Sequence, residues 1–230
     1  MKDWFAGSAA DHYDADTADM PVEPVVDFLV PFAAGGALEL AVGTGRIAVP
    51  LAARGVRVAG IDLSPDMLAK LKEKTDEIPV ATGDYATTRV EGTFSLVYIV
   101  FNSIVNQTTQ DGQVATFANA AAHLDPGGHF VLEVGVPDVR PLGVFDLSDT
   151  HVGVDEYDAA TQRSASHHFT LRDGVWERRS LPFRSVWPSE LDLMARLAGM
   201  TLQERWSEWD RSPFTAESTK HVSVWQKHSA

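Results

Sequence analysis

The sequence predicts an α/β domain built on a parallel sheet, interrupted by an antiparallel β insertion and closed by a strand hairpin. Three observations carry this. Strand-like and helix-like stretches alternate from Pro24 to about Val136, the pattern of a parallel sheet covered by helices on both faces. A glycine turn, Gly43-Thr44-Gly45, joins the first strand to the helix after it. Beyond Val136 the alternation stops, and the stretch to Trp187 reads as successive strands before one more helix and two final strands. With 230 residues, 44% hydrophobic and 22% charged, the chain can bury a real core, which excludes a disordered or fibrous protein.

Each element has its own signal. Val25, Phe28, Leu29 and Phe32 recur at helical spacing, and Ala37 to Val42 is a short strand. A helix is expected from about Arg46 to Arg54, stopped by Gly55, although Pro50 within it should bend it. Val56 to Ile61 forms the second strand. Ser64-Pro65-Asp66 then opens a helix: a side-chain cap, a proline at the first helical position and an acid near the positive end of the dipole. About Pro79 to Thr82 is a third strand. Phe94 to Val100 is a nearly continuous apolar run, as a strand buried on both faces requires. Val114, Phe117, Ala118, Ala121 and Leu124 mark an amphipathic helix, ended by Asp125-Pro126-Gly127-Gly128, and His129 to Val134 is the fifth strand. From about Val152 the chain reads as antiparallel strands, with Arg172-Asp173-Gly174 as a tight hairpin turn. Pro188-Ser189-Glu190 opens a helix through Leu191, Met194 and Leu197 that Gly199 closes. Strands at about Thr201 to Trp206 and Val222 to Trp225 complete the chain.

Charge and composition narrow the function. Nineteen basic against 32 acidic residues leave a formal charge of −13, which repels phosphate backbones and anionic lipid, so neither nucleic acid nor a membrane is an expected partner. No cysteine is present, which removes disulfides, thiolate metal sites and a cysteine nucleophile. The first twenty residues carry Asp3, Asp11, Asp14, Asp16 and Asp19 without an apolar core, unlike a signal peptide, so a cytoplasmic location is expected.

The glycine turn is the main chemical signal. Glycines between a strand and a helix let the backbone approach a ligand and leave N–H groups free to meet it. Here the turn follows the first strand of an open parallel sheet, where strand order reverses and ligands bind. Gly43 to Ala48 also fits Gly-x-Gly-x-x-Ala, so a nicotinamide or flavin dinucleotide is one reading. Asp62, 17 residues beyond Gly45, ends the second strand and can accept both ribose hydroxyls of an adenosine, whether in a dinucleotide or in S-adenosylmethionine. Two acids favour the latter. Asp84, just past the third strand, is placed to accept from an adenine amine, with Tyr85 beside the ring. Glu39, inside the first strand, suits a cationic ligand end and would repel a pyrophosphate.

Leu38-Glu39-Leu40-Ala41-Val42-Gly43-Thr44-Gly45, Gly60-Ile61-Asp62-Leu63-Ser64-Pro65-Asp66-Met67-Leu68, Gly83-Asp84-Tyr85 and Leu124-Asp125-Pro126-Gly127-Gly128 together resemble the successive motifs of the class I S-adenosylmethionine-dependent methyltransferases of small-molecule type. The resemblance implies their Rossmann-like fold, with a seven-stranded mixed sheet of order 3-2-1-4-5-7-6. It assigns Gly43 and Gly45 to the methionine end of the cofactor, Asp62 to the ribose, and Asp84 with Tyr85 to the adenine. Val100 and Phe101 would lie along the adenosine, with Glu39, Ala41, Arg46, Leu63 and Met67 completing the cofactor surface. Ala41 departs from the family, which often has glycine there, but stays small. Tyr13 is a candidate to fold over the sulfonium, making residues 1–23 a lid. Residues 24–136 with 188–230 would bind the cofactor, and 137–187 would form a β cap over the acceptor.

For the acceptor, Asn102 and Ser103 follow strand four on the ligand edge, and Glu133 near the end of strand five points the same way. His167 or Trp187 would line the cap. His123 ends its helix at the opposite edge and reads as structural. His151 with Asp155 and Glu156 lacks metal-ligand spacing, so no metal is expected. Methyl transfer is an in-line displacement in which alignment does most of the work, so no general base can be assigned from sequence alone. The expected activity is methylation of a small metabolite or natural product at N or O, by a monomer or homodimer that yields S-adenosylhomocysteine. A nicotinamide-dependent oxidoreductase and a non-catalytic S-adenosylmethionine-binding module remain the alternatives.

Overall fold

The computed structural model describes residues 3–140 and 142–229; Met1, Lys2, Pro141 and Ala230, which fall in the expected lid, cap and closing segments, lie outside the described residues. The chain opens with helix α1 (Ser8–Asp16) and α2 (Glu23–Leu29), the latter continuing as a single 3-10 turn through Phe32 where Pro31 breaks the α pattern. Strand β1 (Ala37–Leu40) follows, buried at every position. Helix α3 (Ala48–Ala53) begins two residues later than the sequence suggests. That start resolves the proline conflict: Pro50 falls in the first turn, where a backbone N–H would have no intrahelical partner.

Strand β2 (Val58–Asp62) leads into α4 (Pro65–Lys74), whose Ser64 Oγ accepts from Met67 N at 3.4 Å. Lys72 and Lys74 sit in its last turn, complementing the negative end of the dipole. Strand β3 (Val80–Thr82) is short and β4 (Phe94–Ile99) is buried along nearly its whole length. Helix α5 (Gln110–His123), capped by Thr109, runs into β5 (Leu124–Gly135). The Asp125–Gly128 turn is not a break before the strand but a bulge within it. Phe94 pairs with Leu124 and Leu96 with His129, so the residues between 124 and 129 are looped out against a two-residue step.

A second sheet follows, made of β6 (Leu142–Leu147), β7 (His151–Asp158), β8 (Arg163–Arg172) and β9 (Val175–Arg184), in that order and antiparallel throughout. It starts earlier than the sequence reading, which began the strands near Val152. The omitted strand, β6, is an edge with Leu142, Val144, Phe145 and Leu147 all exposed, so it shows no alternation. The hairpin between β8 and β9 is as expected: Arg172 pairs with Val175 across Asp173 and Gly174, whose φ values of 50° and 79° suit a two-residue turn. Helix α6 (Pro188–Leu197), β10 (Met200–Trp206) and β11 (Lys220–Lys227) complete the chain.

The main sheet has seven strands in the order β10-β11-β5-β4-β1-β2-β3, which is the expected 3-2-1-4-5-7-6 once its own strands are counted along the chain. Strands β1 to β5 pair in parallel, and β11 runs antiparallel between β5 and β10. Side-chain alternation divides the core in two. Leu38, Leu40, Phe130 and Trp225 pack toward α5 and α6, with Phe117 edge-on to Phe130. Leu96, Tyr98 and Val100 pack on the other face with α2, α3 and α4. Burial on both faces explains why these strands read as apolar runs. Among the described residues, no helix is long and apolar enough to cross a membrane.

Candidate functional site

The parallel strands all end on one edge, where they line a cleft of about 1350 Å³ that extends from the glycine turn to the second sheet. Its floor begins where β1 ends. Ala41, Gly43 and Gly45 all have positive φ (61°, 55° and 79°), so the chain coils tightly between strand and helix. Ala41 takes this conformation without being glycine, at a cost of about 1–2 kcal/mol, which gives a physical reason for the glycine common at this position in the family it resembles. A side chain at Gly43 would stand 3.2 Å from Met67 Cε, so the close approach of backbone to the cleft depends on its absence.

Asp62, at the end of β2, ties this turn to α4. One carboxylate oxygen accepts from Gly43 N and the other from Ser64 N, both at 2.8 Å. Burial pushes its pKa up, while these two backbone donors pull the other way. Each oxygen keeps a second lone pair, and the residue lines the cleft. Tyr85 OH donates to Ser103 O at 2.6 Å, fixing the ring at the cleft wall, and burial holds its phenol well above the ordinary range.

After β4, Phe101 and Asn102 are both left-handed, with φ of 54° and 59°. Two such residues in succession are strained, and two hydrogen bonds hold them. Glu133 accepts from Phe101 N at 2.9 Å, and Asn102 Oδ1 accepts from Gly135 N at 2.6 Å. The N-terminal segment roofs this floor. Asp14 accepts from Thr44 Oγ1 at 2.5 Å and pairs with Lys74 at 2.6 Å, Asp11 pairs with Lys70 at 3.2 Å, and Gly7 N donates to Asp66 at 2.7 Å. Tyr13 points into the cleft, its phenol raised by burial and drawn down by Arg46. Arg179 of β9 donates to Trp4 O and lies over the Phe5 ring, so this segment also touches the second sheet.

The structure brings Tyr13, Ala41, Gly43, Asp62, Leu63, Met67, Tyr85, Phe101, Asn102 and Ser103 to the cleft wall, as the sequence reading expects of each. Others lie behind it. Glu39 is fully buried on the α3 face of β1, accepts from Tyr98 OH at 2.9 Å, and is pushed up to about 8 by that burial. Gly45 supports the turn from below, against Val49 and Leu71. Arg46 stacks over Phe101 at 5.4 Å and reaches Pro21 O. Asp84 accepts from Ala86 N at 2.9 Å and Gln107 Nε2 at 2.7 Å, bracing its own loop. Val100 turns into the core beside Tyr98 because strand alternation puts both on one face.

Three acceptor-side expectations need correction. Glu133 is engaged beneath the floor, by Phe101 N and by Trp209 Nε1 at 3.0 Å, and does not line the cleft. His167 lies outside it, bonded to Ser180 Oγ at 2.8 Å; its neighbour His168 takes the cleft side, because adjacent strand residues face opposite ways. Trp187 precedes α6 as its N-cap and is likewise absent from the lining. His123 is structural: Val90 N donates to its Nε2 at 3.1 Å, and Nδ1–H donates to Asn119 O at 2.9 Å. The sequence reading missed Trp4, Phe5, Phe145, Arg179 and the His151–His168 pair, all at the wall. Strand alternation was the usable signal for His168; nothing local marks Trp4 or Phe5. Among the described residues no group of acidic, histidine or cysteine side chains could hold a metal.

Comparison with known proteins agrees with this geometry. Residues 37–128 match the model of a methyltransferase domain family. The chain is similar to the CcbJ methyltransferase of Streptomyces caelestis, 34% identical over 96% of both chains with a TM-score of 0.86. It resembles in fold the sugar N-methyltransferase KedS8 of Streptoalloteichus, at 20% identity and a TM-score of 0.70. A Streptomyces venezuelae protein, a dTDP-3-amino-3,4,6-trideoxy-alpha-D-glucopyranose N,N-dimethyltransferase, is 32% identical over 100 residues, 44% of this chain and 42% of that protein. The chain spans about half the length of curated relatives it matches, 42% of one and 51% of another. None of these findings supports the oxidoreductase or the non-catalytic reading.

Proposed function

The chain belongs to the class I S-adenosylmethionine-dependent methyltransferases, and from that premise we propose that it methylates an amine of a small natural-product or sugar-like acceptor. The carrying observation is the single cleft that joins the glycine turn to the second sheet, lined by Gly43 and Asp62 at one end and by His168 and Arg179 at the other. Two ligands can meet in it end to end. The relative that methylates an amino sugar at nitrogen supports an amine acceptor.

The residues present fit the cofactor. S-adenosylmethionine supplies a methyl carbon already activated by positive sulfur. The Gly43 backbone, where a Cβ would crowd Met67 Cε, would receive its amino-acid end, and the outward lone pairs of Asp62 would accept from the ribose hydroxyls. Tyr85, Phe101, Leu63 and Met67 would hold the adenosine, with Asp84 bracing the loop that carries Tyr85. Tyr13 and the rest of residues 3–23 act as the lid, which excludes water and holds the acceptor in line. The second sheet, within residues 137–187, serves as the cap that shapes the acceptor end, with Asn102 and Ser103 at the junction of the two.

The test is calorimetric titration with S-adenosylhomocysteine, NADH and NADPH, followed by mass spectrometry of an amino-sugar and phenol panel incubated with S-adenosylmethionine. Binding of the first ligand alone and methylation of amines are expected. Binding of NADH alone, or methylation confined to phenols, would overturn the proposal.

A further inference from the structure

The second sheet carries a hydrogen-bonded chain of side chains that the cofactor site does not use. Asp146 of β6 bonds His151 Nδ1 at 2.6 Å, and His151 Nε2 lies 3.1 Å from His168 Nδ1. His168 Nε2 lies 3.3 Å from Ser166 Oγ. Polarity runs in one direction along this chain. With His151 neutral, its Nδ1 carries the proton, because an aspartate carboxylate only accepts, and its Nε2 is the acceptor. His168 Nδ1 must then donate to it. That leaves the lone pair of His168 on Nε2, where the Ser166 hydroxyl donates to it. Both imidazoles line the same cleft as Gly43 and Asp62.

The sequence makes room for this pair. Gly153 of β7 stands directly opposite His168 in the ladder, and a side chain there would lie 2.3 Å from the Phe145 ring. The missing Cβ lets Phe145 fold over the pair, 5.4 Å from His168 and nearly perpendicular to it. His168 is thus held at both ring nitrogens, Nδ1 by His151 (itself held by Asp146) and Nε2 by Ser166, with Phe145 covering the ring.

We propose that His168, oriented by His151 and Asp146, is the group that takes the proton from the acceptor amine during methyl transfer. The proposal rests on the methyltransferase reading above. An ammonium acceptor takes the place of the Ser166 hydroxyl, 3.3 Å from His168 Nε2, and gives that nitrogen one N–H proton; the freed lone pair forms the new N–C bond as the C–S bond breaks. The electron pair of that bond stays on sulfur, so the products are a methylated ammonium, neutral S-adenosylhomocysteine and one proton. The proton resides on His168, whose Nδ1–H remains bonded to His151, and Asp146 offsets the added positive charge.

The charges around His168 suit this role. Burial holds its pKa below the ordinary histidine range, with the Arg179 guanidinium acting the same way, while Asp155 and Asp146 pull it upward. That shift favours the unprotonated imidazole, the form that can accept. A general base of this kind contributes about 100- to 10,000-fold to a rate.

The experiment has three readouts. S-adenosylhomocysteine calorimetry separates the two levels: failure of the wild type to bind sinks the methyltransferase reading itself, whereas His168→Gln binds like wild type under the present proposal. With D-glucosamine and benzylamine as acceptors, wild-type kcat/KM rises with pH and levels off. His168→Gln is slower by about 100-fold or more near neutral pH, and its deficit shrinks at high pH as the amine loses its proton to water. His151→Gln, which leaves the base but loosens it, falls between the two. Nitrogen-15 NMR of the imidazoles should find His168 Nε2 unprotonated at neutral pH, with Asp146→Asn or His151→Gln disturbing that tautomer. A His168→Gln enzyme with the wild-type rate and pH profile, or a proton on His168 Nε2, overturns the proposal. Should neither amine be turned over, the NMR result decides alone.

Discussion

Glu39 gives the sharpest quantitative test of how this sheet is assembled. It sits fully buried in a central strand, bonded to Tyr98 OH, with its pKa pushed from an ordinary 4.5 to about 8. The folded state therefore binds a proton that the unfolded chain releases above about pH 4.5. The contribution is complete below that pH and is lost as pH rises through about 8. At about 1.4 kcal/mol per pH unit, the whole interval is on the order of 5 kcal/mol, and the part between about pH 5 and 7.5 is about 3 kcal/mol. Glu39→Gln retains the shape and one acceptor oxygen but cannot titrate. Urea unfolding of both proteins across this range isolates Glu39, since every other titrating group is common to the pair. The variant should gain about 3 kcal/mol on the wild type between pH 5 and 7.5, or roughly 1 M in urea midpoint. Parallel stability curves over the interval would refute the assignment of Glu39 as a neutral buried acid.

Three further outcomes follow from the geometry. Asp62→Asn must turn an amide N–H₂ toward Gly43 N or Ser64 N; the loss of a charge-assisted contact of about 1.5–3 kcal/mol should weaken S-adenosylhomocysteine binding about 10- to 150-fold by calorimetry, and unchanged affinity would remove Asp62 from the site. Gly45→Ala places a Cβ 2.9 Å from Val49 and 3.1 Å from Leu71 on a backbone of φ 79°, so thermal unfolding should show a loss of about 1–3 kcal/mol. Arg184 and Glu190 pair at 2.7 Å with side chains only 7% and 14% exposed, so Arg184→Ala should cost about 3–5 kcal/mol in urea unfolding and Arg184→Met distinctly less.

What could be read from sequence was what local pattern controls. Strands buried on both faces announce themselves as apolar runs, and the glycines at 43 and 45, the Ser64 cap and Asp62 each follow from chemistry within a few residues. The failures were matters of facing and of long-range partnership. Val100 and His167 were placed one step off in strand alternation, because periodicity alone does not say which of two faces meets a ligand. Glu133 stands near the correct edge, but Phe101 N and Trp209 Nε1, 32 and 76 residues away, claim its oxygens. Strand β6 hid because both of its faces expose apolar side chains, so no alternation was there to be seen. The Asp146–His151–His168 chain is assembled across three strands, and the glycine that makes room for its aromatic cover shows its importance only beside Phe145.

The brace under Phe101 carries a consequence for biosynthesis. Glu133 is anchored both by Phe101 N, just past β4, and by Trp209, in the loop of the closing hairpin, with Lys220 3.7 Å away. A ribosome delivers the glycine turn, Asp62 and the strained Phe101–Asn102 pair long before it delivers Trp209. The nascent chain thus holds every residue of the cofactor floor while lacking the part that locks its shape. The brace on Glu133 therefore closes only once Trp209 has been made, and truncation just ahead of Trp209 should leave Glu133 held at this floor by Phe101 N alone.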